Sequence, residues 1–163
     1  MNLVILLVFA AAVFGLSLVS MVFLLGKRSV AQLSFAAGML GLALETACNG
    51  MGMLADAPAK ILQWHQGSLL AMAVLPGTWL VFSLSYSRGN YKEFLAKWRW
   101  MVAATFALPA ALVIGFGKTL IQRVDRLEYE SDWLLVLGQP GILLNILALL
   151  TSVIILMNVE RTF

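Results

Sequence analysis

Long apolar runs alternate with short polar stretches along the whole chain. Five of the runs are long enough to cross a bilayer, whose hydrocarbon core requires about 20 mainly apolar residues in a helix. The pattern predicts an all-α, polytopic membrane protein with spans at about 2–26, 30–54, 61–86, 98–116 and 133–159. Five helices leave no room for a separate soluble domain. We therefore expect residues 1–163 to form a single transmembrane helical domain.

Composition supports this prediction and excludes several classes of protein. The chain is 61% hydrophobic and only 12% charged, whereas soluble domains are about 45–50% apolar and about 25% charged. A soluble enzyme, a disordered tail and a secreted disulfide scaffold are excluded. One histidine cannot build a zinc site that requires several. Neither a metal nor a cofactor is expected.

The positions of the basic residues predict how the helices are oriented. Cytoplasmic loops carry an excess of Lys and Arg. An outside N-terminus and a cytoplasmic C-terminus place seven basic residues inside and four outside. The seven are Lys27, Arg28, Arg88, Lys92, Lys97, Arg99 and Arg161; the four are Lys60, Lys118, Arg123 and Arg126. Because they flank apolar runs, we expect a bilayer surface as partner, not nucleic acid.

A few polar residues interrupt the predicted helices. Glu45 lies fifteen residues beyond Val30, roughly 22 Å along the second helix. An acid inside a membrane helix costs on the order of 3 kcal/mol on insertion scales. Polar groups in lipid require partners, so six residues are expected to converge in the outer half of the bundle: Glu45, Asn49, His65, Gln66, Gln139 and Asn145. They form either a satisfied packing network or a pocket for a small hydrophobic or lipid-like ligand.

Each of the last three predicted helices contains an interior proline: Pro76, Pro109 and Pro140. Proline removes one helical hydrogen bond and tends to kink a helix. These residues either only shape the bundle or act as flexible points that transmit a signal. In the second case the signal passes through Pro76 and Pro140 to Glu160 and Arg161.

Familiar catalytic motifs are absent from the sequence. It contains no phosphate-binding GxxxxGK[ST] loop, no GxSxG elbow and no CxxCH haem attachment site. Five spans without an internal repeat argue against a transporter. No catalytic residue is therefore predicted. The loop at 117–132 is interpreted as either a short hairpin over the pocket mouth or a solvated connector.

Two segments resemble a known family. The first runs from Leu75 to Asn90 with the sequence LPGTWLVFSLSYSRGN; the second is NVERTF, from Asn158 to Phe163. Both are similar to the multi-span N-terminal membrane region of bacterial sensor histidine kinases. The kinases of the PEP-CTERM/exosortase system are the most similar. Glu45 within GLALE and the segment Tyr91–Leu95 agree with this resemblance.

The resemblance implies a membrane sensor region of a two-component system in the bacterial inner membrane. Members of that family continue through further membrane helices, a GAF-type domain, a phosphorylated-histidine helix and an ATP-binding domain. These 163 residues alone are therefore expected to have no kinase activity. His65 lies at the outer membrane edge and is not expected to be a phosphoacceptor.

Two alternatives remain open from the sequence. The chain is either the sensor portion of a membrane kinase, expected to dimerise, or a small scaffold subunit whose helices bind partner membrane helices. A third and weaker hypothesis is a quinone-site or anchor subunit of a redox enzyme. It rests only on Glu45, His65 and the aromatic residues near them.

Overall fold

The computed structural model describes residues 3–25, 29–86, 89–126 and 133–160. Five of its helices are long and apolar enough to cross a membrane, which confirms the all-α, polytopic fold. The elements in chain order are α1 Leu3–Leu25, α2 Val30–Met53, α3 Pro58–Ser85, α4 Tyr91–Lys97, α5 Arg99–Phe116, β1 Ile121–Arg126, β2 Trp133–Leu137 and α6 Gln139–Glu160.

Local sequence explains where α2 and α3 begin. The Ser29 side chain accepts a hydrogen bond from the backbone N–H of Gln32, and the Gln32 side chain accepts one from the backbone N–H of Ser29. This capping box satisfies two N–H groups that have no helical partner. Pro58 begins α3 at a position where the missing N–H costs nothing. Both helices start within three residues of the predicted bounds.

Helix α3 lies at the centre of the molecule. It packs against α2, α5, α6 and the short α4, whereas α1 packs on α2. Half of the residues in its most apolar stretch are buried, compared with 11–17% of the residues in the corresponding stretches of the other four spans. Large apolar side chains on α1 and α6 are exposed, including Leu24, Leu149 and Leu156. These exposed side chains form the lipid-facing surface expected of a membrane bundle.

Two glycines allow α2 to approach α3 closely. A Cβ atom on Gly38 would lie 2.9 Å from the Trp79 ring, and one on Gly41 would lie 2.7 Å from the Leu75 side chain. No side chain larger than hydrogen fits at either position without a shift of its neighbour. Both glycines belong to small-residue pairs that the sequence contains at four-residue spacing.

The predicted start of the last span at residue 133 is wrong. Residues Trp133–Leu137 form strand β2, which pairs antiparallel with β1, and α6 begins only at Gln139. Gly138 separates strand from helix, because the carbonyl of Thr119 occupies the space of a Cβ atom there. An apolar run alone does not distinguish a strand from a helix. Strands β1 and β2 thus pair as a hairpin, which was one of the two interpretations of the loop at 117–132; residues 127–132 lie outside the described residues, and the expected position over a pocket mouth stays a prediction.

The hairpin is anchored to the helices by its base. Leu120 and Ile121 are buried with Leu69 of α3, Val113 of α5 and Leu144 of α6 in one apolar cluster. The backbone N–H of Gly138 donates to the carbonyl of Leu120 at 2.9 Å. The hairpin and the α2–α3 turn lie at the same end of the bundle, which we call the hairpin end; the opposite end carries α4.

Pro140 is not an interior proline. It is the second residue of α6, and four residues before it lies Val136, which belongs to strand β2 and not to a helix. Proline at this position removes no helical hydrogen bond. Only Pro76 and Pro109 interrupt described helices. The prediction that Pro140 is a flex point within the last span therefore loses its structural basis.

Candidate functional site: a groove between three helices

A groove of about 410 Å³ lies between α2 and α6, with α3 as its floor. We call it the Glu45 groove. Its lining is mainly apolar and consists of Leu42, Glu45, Met72, Leu75, Pro76, Trp79, Ala148, Ser152, Ile155 and Leu156. A volume of about 300–1,000 Å³ with an apolar lining and a few polar groups is typical of sites for small molecules.

Among the described residues of this lining, Glu45 is the only charged one. It lies eight residues before the end of α2 at Met53, about 12 Å along the helix axis from the hairpin end. This depth places the half-buried carboxyl group well inside the hydrocarbon core. Within the described residues, Glu45 makes neither a hydrogen bond nor an ion pair. No described residue therefore offsets the free-energy cost of placing this acid in the membrane.

The floor of the groove carries a second polar group without its usual donor. Proline has no N–H, so Pro76 cannot donate to the carbonyl of Met72 four residues earlier. Both residues line the groove. Helix α6 contributes the polar side chain of Ser152 to the lining, and its hydroxyl donates to the carbonyl of Ala148 at 2.9 Å. The lining thus offers acceptors on Glu45, Met72 and Ser152 against one remaining donor, the indole N–H of Trp79.

Aromatic contacts hold the floor of the groove in place. Trp79 packs edge-to-face on Phe35 of α2, with ring centroids 6.0 Å apart, and on Phe82 at 5.8 Å. Such pairs stabilise by about 0.5–1.5 kcal/mol beyond the area that they bury. Gly38 brings α2 close enough for these contacts. The interface between α2 and α3 is therefore well packed, whereas the space between these two helices and α6 remains open and forms the groove.

The predicted polar residues do not converge in one pocket. Asn49 is half-buried on α2 but does not line the Glu45 groove. His65 packs at the α2–α3 interface, where a Cβ atom on Gly52 would lie 3.3 Å from its Nε2 atom. Gln66 lines a separate cavity of about 450 Å³, together with Lys118 and Thr119 at the hairpin end.

The remaining predicted residues are also dispersed. Gln139 is exposed at the start of α6, and Asn145 is half-buried two turns further on; neither lines the Glu45 groove. Glu160 is exposed at the end of α6, while Arg161 lies outside the described residues. Of the six ligand-binding candidates, Glu45 alone shares a site with a predicted relay residue, Pro76.

A polar contact between two residues that were not among the predicted site residues joins α3 to α6 near the α4 end. The side-chain amide of Asn158 donates to the Ser83 hydroxyl at 3.1 Å, and that hydroxyl donates to the Leu80 carbonyl at 2.9 Å. Ser83 is buried. The two residues lie in the two segments that carry the family resemblance, which was the available signal. Their contact links the helix with Pro76 to the helix that ends at Glu160.

The described residues of the Glu45 groove provide the chemistry of a binding site. No group of three or more His, Cys, Asp or Glu side chains among them is arranged to hold a metal ion. The Glu45 groove contains one carboxyl group and no nucleophile with an adjacent base. An apolar groove with an acid about one third of the way along α2 from the hairpin end can bind a molecule from the lipid phase.

Comparison with known proteins gives one match. The model of a family described as the N-terminal 7TM region of histidine kinase matches residues 7–159, nearly the whole chain. Neither the curated proteins nor the solved structures contain a match.

Proposed function

This chain belongs to the family of N-terminal 7TM regions of histidine kinases, and from that premise we propose that the Glu45 groove is its sensing site. The family match confirms the prediction of a membrane sensor region and favours it over a scaffold or redox subunit. Histidine kinases are enzymes, and the residues described here belong to their membrane region. What remains to be assigned is where a stimulus acts and how it reaches the kinase.

The observation that carries this proposal is the position of Glu45 beside Pro76. An occupant of the groove contacts α2, α3 and α6 at once. Pro76 weakens the helical hydrogen bonding of α3 at that depth. Seven residues further along α3, Ser83 accepts the hydrogen bond from Asn158 of α6. A shift of α3 at the groove therefore acts directly on the end of α6, two residues before Glu160.

Such a relay requires two packings that differ by only a few kcal/mol, one of which the stimulus favours. Hydrogen bonds between membrane helices contribute about 0.6 kcal/mol on average and at most about 1.7 kcal/mol. The contact between Asn158 and Ser83 is therefore weak enough to break and re-form. It is suited to a switch rather than to a permanent link.

Orientation and context complete the proposal. The distribution of Lys and Arg favours an outside N-terminus, so the hairpin end faces out and the α4 end faces the cytoplasm. The resemblance favours the bacterial inner membrane, a homodimer and the PEP-CTERM/exosortase system. In this arrangement the signal leaves through Glu160 and Arg161 at the cytoplasmic end.

The test is the basal autophosphorylation rate of the parent histidine kinase in native membranes. We expect Glu45→Gln to change this rate by at least about threefold, because a change of ~0.7 kcal/mol in the balance of two packings suffices. Asn158→Leu is expected to abolish the difference between the Glu45→Gln variant and the unmodified kinase. Glu93→Gln, at an exposed acid on α4, controls for loss of a carboxyl group outside both the groove and the relay.

The amount and the thermal stability of each variant are measured alongside the rate. Equal rates for Glu45→Gln and the unmodified kinase, at equal amounts of folded protein, would exclude the Glu45 groove as a sensing site. Loss of stability in Glu45→Gln without a change in rate per folded molecule would show that Glu45 only supports packing.

A further inference from the structure

We infer that the Glu45 groove binds an uncharged, mainly apolar molecule from the lipid phase that carries a hydroxyl group. This inference rests on the proposed sensing site and assigns it a ligand class. It follows from three properties of the groove: its depth, its volume and its excess of hydrogen-bond acceptors.

Depth excludes a phospholipid headgroup as the natural occupant. Helix α2 has 24 residues and so is about 36 Å long, slightly more than the ~30 Å hydrocarbon core. Glu45 lies about 12 Å from the hairpin end of α2 and further from the other end. A zwitterionic or phosphate headgroup would have to leave the interface to reach it. A molecule dissolved in the acyl chains reaches this depth without that cost.

The volume of the groove fits a small molecule. Its value of about 410 Å³ lies within the roughly 300–1,000 Å³ that is typical of small-molecule sites.

Polarity selects a hydroxyl group. The Glu45 carboxyl group and the Met72 carbonyl both accept hydrogen bonds, and Pro76 supplies no N–H to the latter. The Ser152 hydroxyl already donates to its own helix. A hydroxyl on the ligand donates to one of these acceptors, and its lone pairs can accept from the indole N–H of Trp79 or from a protonated Glu45.

A cationic amphiphile is the less favourable match for the acid. Two charges brought together at this depth lose their hydration, and that penalty can exceed the attraction between them. A carboxylic acid and an alcohol form a hydrogen bond without burying net charge. The apolar remainder of the ligand packs on Leu42, Leu75 and Ile155, which are parts of the lining on all three helices.

The experiment uses the purified protein in lipid nanodiscs and a long-chain alcohol that carries a photoreactive diazirine. Labelled peptides are mapped by mass spectrometry, and three competitors with the same chain are compared: the alcohol, its methyl ether and the primary amine. We expect labelling on α2, α3 and α6 around the groove, with the alcohol competing about tenfold better than the ether.

Variants assign the contact to Glu45. We expect Glu45→Leu to lower the competable labelling about tenfold and Glu45→Gln to lower it less, since an amide retains an acceptor. Glu93→Gln, at an exposed acid on α4, should label like the unmodified protein. Equal competition by alcohol and ether, labelling confined to other surfaces, or unchanged labelling of Glu45→Leu would each overturn the inference. So would preferential competition by the amine, since that result would show recognition of a charge.

The competition series on the unmodified protein keeps the inference testable even if Glu45→Leu fails to fold. Its outcome is also separate from that of the kinase assay. A kinase that responds to Glu45→Gln, combined with no selective binding of the alcohol, would leave the sensing site in place and remove only this ligand class.

Discussion

At the scale of single residues, glycines decide how closely the helices approach. Gly77 follows Pro76 on the central helix, and a Cβ atom there would lie 2.5 Å from the Phe106 ring of α5. Real Cβ contacts are longer than this, so the ring must move before any side chain fits. Gly115 on α5 provides the contrast, because a Cβ atom there meets no atom within 4 Å.

The pair Gly77→Ala and Gly115→Ala tests this contact. We expect Gly77→Ala to destabilise the protein by about 1–3 kcal/mol through overpacking against Phe106. Gly115→Ala should be neutral or stabilising by up to about 1 kcal/mol, because alanine favours helix. Thermal unfolding in mild detergent measures both variants. Recovery of stability in the double variant Gly77→Ala/Phe106→Leu would identify the ring as the cause, whereas equal melting temperatures for the two single variants would contradict the close contact.

At the scale of whole elements, two prolines with the same chemistry have different effects. Pro76 lies within α3, where the Met72 carbonyl four residues earlier belongs to the same helix. Pro140 lies at the start of α6, where the fourth residue before it belongs to a strand. Replacing Pro76 by alanine therefore adds a helical hydrogen bond, whereas replacing Pro140 by alanine does not.

Amide hydrogen exchange distinguishes the two prolines. We expect Pro76→Ala to slow exchange in the turn of α3 that follows residue 76, because the new N–H closes the bond to the Met72 carbonyl. Pro140→Ala should leave exchange in the corresponding turn of α6 unchanged. If Pro76→Ala has no effect on exchange, the Met72 carbonyl already has another donor, and the argument that α3 is weakened there fails.

At the scale of the whole molecule, the two ends of the bundle differ in architecture. The hairpin end is closed by an apolar cluster that joins the hairpin to three helices. The α4 end carries the short helix Tyr91–Lys97 and the polar contact between Asn158 and Ser83. An end closed by apolar contacts and an end joined by a polar contact suit a bundle that moves mainly at its α4 end.

Site-directed labelling determines which end faces out. In a Cys48→Ala background, Ala59→Cys at the hairpin end and Asn90→Cys at the α4 end both place a thiol at an exposed position. We expect a membrane-impermeant maleimide to label Ala59→Cys in intact spheroplasts, and Asn90→Cys only after permeabilisation, because the sequence predicts seven of the eleven basic residues for the loops and tail on the Asn90 side. The reverse pattern would invert the proposed orientation and the direction of signalling.

The sequence alone determined the membrane fold, the five helices and most of their bounds. Apolar length and charge position are properties of each segment by itself, so they can be read without knowing its neighbours. The prediction failed at Trp133–Leu137, where an apolar run forms a strand. There the pairing with β1 and the glycine at 138 decide the conformation, and both depend on residues distant in sequence.

Only the tertiary structure decided which polar residues share a site. The depth of a residue along its helix follows from its number, and on that basis Glu45, Gln66 and Asn145 are expected to meet. Which helices are neighbours, and how each helix is rotated about its axis, follow instead from packing. Because α3 separates α2 from α6 and small residues set its contacts, Glu45 lies with Pro76 and Trp79, while Gln66 faces a different cavity. The sequence thus identified the acid, and packing selected the residues that surround it, because helix rotation is set by contacts that no single segment contains.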